Sequence, residues 1–336
     1  MFAWLRPEGA GAAASAPSRA NEPAASADPE RLLRRLEWTV LRRLDGVLQG
    51  DYRTLFRGFG LDLADLREYQ LHDDVRYIDW NVTARLEVPH VREFQEDREV
   101  AAWFVVDLSG SVDFGSRRVS KRALAGELVA VLARLLTRYG NRVGAVLHGE
   151  HANEVIPPRS GRRHVLHMLR RMQQVGERRA RAANAARGRL TDLAELLALA
   201  RPLIKRRAVL FIVSDFISAP GWSRRLAELS RRHDSVAFRL TDPLESRLPD
   251  IGLVVMQDAE TGEQLVVDTH DRGFRQRYAQ AAERRELDLR AALGDAGVDC
   301  LELATDEPLD EALLRFTQLR KRRRQLASGA LPRHLR

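Results

Sequence analysis

The sequence predicts an α/β protein, a mostly parallel central sheet with helices on both faces. Two observations carry this. From about residue 99 onward, short apolar runs of strand length alternate with longer segments of helical periodicity, the signature of strands linked by covering helices. Two of those runs, WFVVD and LFIVSD, stop on an aspartate, Asp107 and Asp215. In such sheets the loops at the carboxyl ends of strands carry the site.

Taken in order, residues 1–28 are rich in Ala, Ser, Gly and Pro without periodicity and are expected to form a disordered tail. Residues 29–98 open with an amphipathic helix, PERLLRRLEWTVLRRLDGVLQG, ended by Gly50, and continue as a charged segment with short strand-like pieces. Residues 99–325 form the main domain. VAAWFVVD reads as a strand, SKRALAGELVAVLARLLTRYG as a helix, RVGAVLHG as a strand and GRRHVLHMLRRMQQV as a helix. TDLAELLALARPLI (helix), RRAVLFIVSD (strand), WSRRLAELSRRH (helix) and SVAFRLTD (strand) follow. An inserted hairpin at about 242–270 turns around Thr261-Gly262. A long helix, the strand VDCLEL and a last helix complete the domain, and 326–336 is a tail.

Composition bounds the function. Apolar residues make up 44% and charged residues 30%, ordinary for a globular chain. No apolar run approaches the roughly 20 residues of a membrane helix, and the apolar start MFAWL is cut off by Arg6-Pro7, too short for a secretion signal. A cytoplasmic protein is expected. Cys300, the only cysteine, sits in an alternating apolar run and reads as a buried structural thiol. The net charge of +8 is nearly all arginine, since Lys121, Lys205 and Lys321 are the only lysines. These arginines mostly stand beside acids on helices, which favours a solvated surface over a nucleic-acid footprint. The densest run, RKRRR at 320–324, closes a helix, where cations complement the dipole.

In DLSGS, Asp107, Ser109 and Ser111 alternate, so in an extended segment they point to one side. One carboxylate and two hydroxyls are hard oxygen donors of the kind Mg²⁺ or Mn²⁺ takes. Asp215 at another strand end can add a carboxylate, and Thr191, heading a helix, a third hydroxyl. The competing reading is a strand end followed by turn and cap residues.

The set D-x-S-x-S, a later Thr opening a helix and a later Asp after a strand resembles the metal-ion-dependent adhesion site of von Willebrand factor A domains. LREYQLHDDVRYIDWNVTAR, DLSGSVDFG and DPLESRLPDIG followed by DAETGE narrow the resemblance. They are similar to a bacterial family of von Willebrand factor A-like proteins typically encoded beside MoxR-type AAA+ ATPases. His72 and Val112 depart from that pattern, where Gly and Met are usual. The resemblance implies a Rossmann-like sheet with Mg²⁺ (or Mn²⁺) held by Asp107, Ser109, Ser111, Thr191 and Asp215. It also implies a non-enzymatic adaptor for a MoxR-type ATPase and a client protein, with an Asp or Glu from a partner completing the metal shell. Many members carry membrane helices ahead of this block, and this chain shows none.

Other chemistries find less support. There is no phosphate-binding G-x-x-x-x-G-K-[ST] and no G-x-S-x-G elbow. A phosphohydrolase using Asp107 as nucleophile would want an acid two residues on, and that residue is Ser109. In HDDVRYIDW the acids are expected to pair with arginines, Asp73 with Arg76 and Asp79 with Arg85, rather than bind metal. The pairs His148/His151 and His164/His167 have no evident third ligand for zinc.

Overall fold

A computed structural model describes residues 2–5, 28–44, 65–70, 75, 78, 80, 83–84, 88–93, 101–116, 119–138, 140–149, 152–182, 192–258 and 263–327. The expected α/β class is present. Six strands form the central sheet: β4 (Ala102–Asp107), β5 (Val143–Gly149), β6 (Ala152–Arg159), β7 (Val209–Ser214), β8 (Asp234–Thr241) and β11 (Asp299–Ala304). Their order is β11-β8-β7-β4-β5-β6, parallel throughout except for the antiparallel edge strand β6. Outside it lie a two-stranded ribbon, β2 (Asp65–Glu68) with β3 (His90–Glu93), and a three-stranded sheet of β1 (Phe2–Leu5), β9 (Leu253–Asp258) and β10 (Gln264–Asp268).

Among the described residues there are seven α-helices: α1 (Pro29–Leu36), α2 (Lys121–Arg138), α3 (Arg162–Ala182), α4 (Leu193–Leu203), α5 (Trp222–Ser230), α6 (Arg272–Asp295) and α7 (Leu309–Ala327). Alternate residues of each central strand feed opposite cores, as the two-residue repeat of a strand requires. Phe104 and Val106 of β4 join Phe211 and Val213 of β7 on the face covered by α1, α2, α3 and α7. Trp103, Val105, Leu210 and Ile212 face the layer of α4, α5 and α6. A row of tilted rings, Phe104–Phe211–Phe238–Phe316, with centroids 5.1, 5.8 and 6.2 Å apart, locks α7 across three strands.

Two elements differ from the sequence expectation. Phe2–Leu5, inside the segment expected to be a disordered tail, pairs antiparallel with β9. Its apolar run is short but long enough for one edge pairing, and Arg6-Pro7 ends it. Residues 152–159 form β6 although Pro157 and Pro158 argue against a strand. An edge position resolves this, since one side of β6 donates to no neighbour, and the register shifts where the prolines sit. The proposed pairs of Asp73, Arg76, Asp79 and Arg85, and the position of His72, lie outside the described residues.

α1, which continues as a π-turn over Glu37–Leu41, is part of the main core. Leu33, Leu36, Val40, Leu41 and Leu44 are buried in the same cluster as α2 and α3. Ion pairs hold its polar side, Glu37 with Arg134 at 2.6 Å, Arg35 with Glu127 and Arg43 with Asp310. Leu33 is fully enclosed, so Leu33→Ala is expected to cost about 2–5 kcal/mol by loss of burial and a residual cavity. Urea denaturation measures this; a cost below about 1 kcal/mol would mean the helix is not docked.

Candidate metal centre at the sheet's switch point

The connection through α2 leads from β4 to β5 on one side. From β7 the chain proceeds through β8 to β11 on the other. The direction of winding reverses between β4 and β7, where the carboxyl ends of the two strands leave a crevice, the usual ligand position in an open α/β sheet. Val106 pairs with Val213, so Asp107 and Ser214 end the neighbouring strands side by side, and Asp215 follows.

Four of the five candidate ligands are enclosed here: Asp107, Ser109 and Ser111 at 1% exposure and Asp215 at 2%. Asp107 Oδ1 accepts from the Ser109 amide at 3.0 Å, and Oδ2 accepts from Ser214 Oγ at 2.8 Å. The Ser109 and Ser111 hydroxyls stand 3.1 Å apart. Asp215 Oδ1 accepts from the Ile217 amide at 3.0 Å. Phe216, between them, has φ of 58°, a left-handed conformation that is strained for a bulky residue. It is held by Trp222, ring centroids 5.1 Å away, and by its own amide donating to Ser214 Oγ.

Thr191 lies outside the described residues. The N-cap of α4 is Asp192, which accepts from the Ala194 and Glu195 amides at 2.8 and 3.3 Å. The Leu193 amide donates to Ser218 Oγ at 2.8 Å, which ties the start of α4 to the turn that carries Asp215.

The first two residues of α2 serve the site as well, and sequence reasoning missed both. Lys121 is wholly buried and donates to Asp215 Oδ2 and Glu245 Oε1, each at 2.6 Å. Arg122 donates to the carbonyls of Leu108 and Ser109 at 2.9 and 3.3 Å and pairs with Asp113, clamping the DLSGS turn from behind. Two close approaches permit this. A Cβ on Gly115 would lie 2.5 Å from Ser120 Cα, where the loop folds back so that the Lys121 amide reaches Phe114 O. One on Gly176 would meet Arg122 Nη1 at 2.9 Å.

A third missed group is Asp242, just beyond β8. It accepts from Ser116 (amide 2.8 Å, hydroxyl 2.5 Å), Thr305 Oγ1 (2.6 Å) and the Leu244 amide (3.0 Å). It also shares a capping box with Glu245 on the short 3₁₀ turn Pro243–Glu245. The available signals were slight: one of three lysines in an arginine-rich chain opening an apolar helix, and a D-x-x-E box after a strand.

The electrostatics are lopsided, since one ammonium pairs with Asp215 and Glu245 while Asp107 adds a third buried carboxyl beside Asp215. Burial, then the neighbouring Asp215 charge, pushes the Asp107 carboxyl above its ordinary value, against hydrogen bonds from Ser109 and Ser214. Burial also raises Glu245, with Lys121 offsetting part of it. For Lys121, burial disfavours the ammonium, but Asp215 and Glu245 prevail and hold its pKa above the ordinary value. The donors suit a hard divalent cation, because every candidate ligand offers oxygen and the carboxylates outnumber the cation. Among the described residues, no group of three or more His, Cys, Asp or Glu is gathered so that it could hold a metal ion; the candidate site has two carboxylates, and its other oxygens are hydroxyls.

The other sequence candidates lie apart. His148 Nδ1 meets Asn153 Oδ1 at 2.6 Å, and His151 is outside the described residues. His164 contacts the Val143 carbonyl at 2.7 Å and stacks on His167. Cys300, expected to be buried, is half-buried against the second core; burial, then Glu302, pushes its thiol up to about 12. No helix among the described residues is long and apolar enough to cross a membrane.

A mostly parallel sheet with both faces covered and an oxygen-lined crevice at its switch point defines a von Willebrand factor A/Rossmann-like protein. The chain belongs to the family described as "Protein of unknown function DUF58", whose pattern matches residues 65–288. It is 39% identical over 303 residues to uncharacterised proteins of Mycobacterium tuberculosis (Rv1480) and Mycobacterium bovis (Mb1516), covering 90% of this chain and 91% of each relative. Similar solved structures include BatB of Bacteroides thetaiotaomicron, with a TM-score of 0.39 at 14% identity over 65% of this chain and 96% of that one. An aerotolerance-related membrane protein of Bacteroides fragilis has a TM-score of 0.40 at 13% identity, over 66% and 99%.

Proposed function

We propose that the chain is a non-enzymatic, Mg²⁺-dependent protein-binding module, with Mn²⁺ as an acceptable substitute. Asp107, Ser109, Ser111 and Asp215 would hold the ion, with Thr191 as the fifth ligand. The observation that carries this reading is the collection of two buried carboxylates and two hydroxyls, from separate turns, at the switch point of the sheet. A bound Mg²⁺ would supply an electrophilic point that an Asp or Glu of a partner can complete. The chain's own residues do the positioning: Arg122 fixes the DLSGS turn, and Ser214 and the Ser109 amide orient Asp107. A groove of about 830 Å³ runs from Asp215 past Trp222, Arg239, Glu245 and Glu286, and offers a partner segment contact area beside the ion.

The partner we propose is a MoxR-type AAA+ ATPase, which would hydrolyse the ATP while this chain presents a client in the cytoplasm. The alternatives, a phosphohydrolase and an arginine-rich nucleic-acid binder, draw no support from a specific contact. The residue two after Asp107 is Ser109, not the acid a phosphohydrolase would want, and Arg134, Arg171, Arg239 and Arg315 are ion-paired to acids. The test is co-purification with a MoxR-type AAA+ ATPase. Capture is expected in Mg²⁺, and loss with EDTA and with Asp107→Ala. Capture indifferent to both would overturn the metal-bridged reading.

A further inference from the structure

A lysine is almost never fully enclosed unless it is paired, and Lys121 has two partners of unequal kind. Asp215 is a candidate metal ligand: its Oδ1 accepts from the Ile217 amide of its own turn, and its Oδ2 holds the ammonium. Glu245 is no ligand candidate. It hangs from the short turn after β8, its side chain 12% exposed, on the wall of the groove. The ammonium therefore bridges a carboxylate that is a candidate ligand and one that is not.

Resting on the metal-binding reading above, we propose that Lys121 is a tethered cation that competes with the divalent ion for Asp215 and yields by shifting onto Glu245. Three carboxylates buried with no positive charge would be costly, so the lysine lets the crevice stay folded when no metal is bound. Because the ammonium is attached to α2, its local concentration is high, and an entering ion must displace it. At equal distance a divalent ion has twice the Coulomb attraction of an ammonium, so displacement is feasible. Glu245 is what makes it reversible, as it keeps the displaced charge paired. Since Glu245 also lines the groove, occupancy of the ion site is transmitted to the surface on which a partner segment would lie.

The experiment is calorimetric titration of Mn²⁺ into metal-stripped full-length protein, natural chain beside Lys121→Met and Glu245→Gln, with circular dichroism as the control for folding. Lys121→Met is expected to bind at least about ten-fold more tightly, a size typical of coupled sites. Glu245→Gln is expected to bind several-fold more weakly, because the ammonium then has Asp215 as its sole carboxylate partner. Opposite signs are the mark of competition, which a lysine with a purely structural role would not produce. Binding by Lys121→Met with none by the natural chain is the same outcome in its extreme form. Equal affinities, or weakening in both variants, would overturn the tethered-cation proposal and leave the metal site standing. No binding by the natural chain or by either variant would overturn the metal reading itself. If Lys121→Met does not fold, the weakening in Glu245→Gln decides.

Discussion

In metal-free buffer at neutral pH, Asp107→Asn is expected to be more stable than the natural protein by roughly 1–2 kcal/mol, an ordinary size for a single substitution but of the rarer sign. Asp107 is enclosed, its hydrogen-bond partners, the Ser109 amide and the Ser214 hydroxyl, are neutral, and Asp215 adds repulsion. The site's one ammonium is bonded to Asp215 and Glu245 instead. Asparagine keeps the shape and an acceptor for the Ser109 amide while removing the buried charge. The pH sign follows from the raised carboxyl. The penalty is complete above the folded-state pKa and fades as pH falls from there toward the ordinary value of 3.8. The gap between variant and natural protein should therefore narrow as the pH is lowered. Adding Mg²⁺ should reverse the order, because an ion present at a hundred times its Kd stabilises the natural protein by about 2.7 kcal/mol and leaves the variant unmoved. Urea titrations with Mg²⁺ or EDTA check this. A natural protein that is the more stable of the two in EDTA, or equal shifts with Mg²⁺, would sink the argument.

The parts of this site that were legible in the sequence are those encoded locally. An apolar run stopped by Asp is visible in WFVVD and in LFIVSD, and the two-residue spacing of Ser109 and Ser111 is visible without knowing any neighbour. That β4 and β7 are adjacent, with the winding reversing between them, is a property of strand order, which periodicity does not record. Lys121 was hidden for the same reason. At the head of SKRALAGELV it reads as the solvated start of a helix, and only the approach of Asp215 and Glu245, 94 and 124 residues away, gives it partners. Asp242 and Glu245 stood in a quoted stretch, DPLESRLPDIG, but their roles depend on Ser116 and Thr305 from other loops. The edge strand β6 was masked by Pro157 and Pro158, whose cost vanishes only at a sheet edge, and the docking of α1 needed α2 and α3 in place.

Asp242→Ala is expected to be the most damaging of these substitutions, costing about 3–5 kcal/mol, the range for removing one partner from a buried charged network. Its carboxylate, 2% exposed, accepts four hydrogen bonds from three segments: the loop after β4, the turn after β8 and the end of β11. Removal leaves the Ser116 amide and the Thr305 hydroxyl to find new partners in an enclosed space, where unpaired donors are costly. The pH dependence should run opposite to that of Asp107. Burial raises the Asp242 carboxyl, but the Ser116 and Thr305 hydrogen bonds outweigh it and hold the carboxyl below its ordinary value of 3.8. Its contribution is therefore complete above that value and is lost as pH falls through the lower, folded-state pKa. The natural protein should exceed the variant by a constant margin at neutral and mildly acidic pH, and the margin should shrink only in stronger acid. Because Ser116 belongs to the loop that starts with Ser109 and Ser111, the variant should also bind Mn²⁺ more weakly although no proposed ligand is touched. Asp242→Asn, which keeps an acceptor and loses the charge, should fall between the two on both measures. A variant with natural stability and altered Mn²⁺ affinity would show that Asp242 acts on the site without bracing the fold, and natural values of both would remove it from the site altogether.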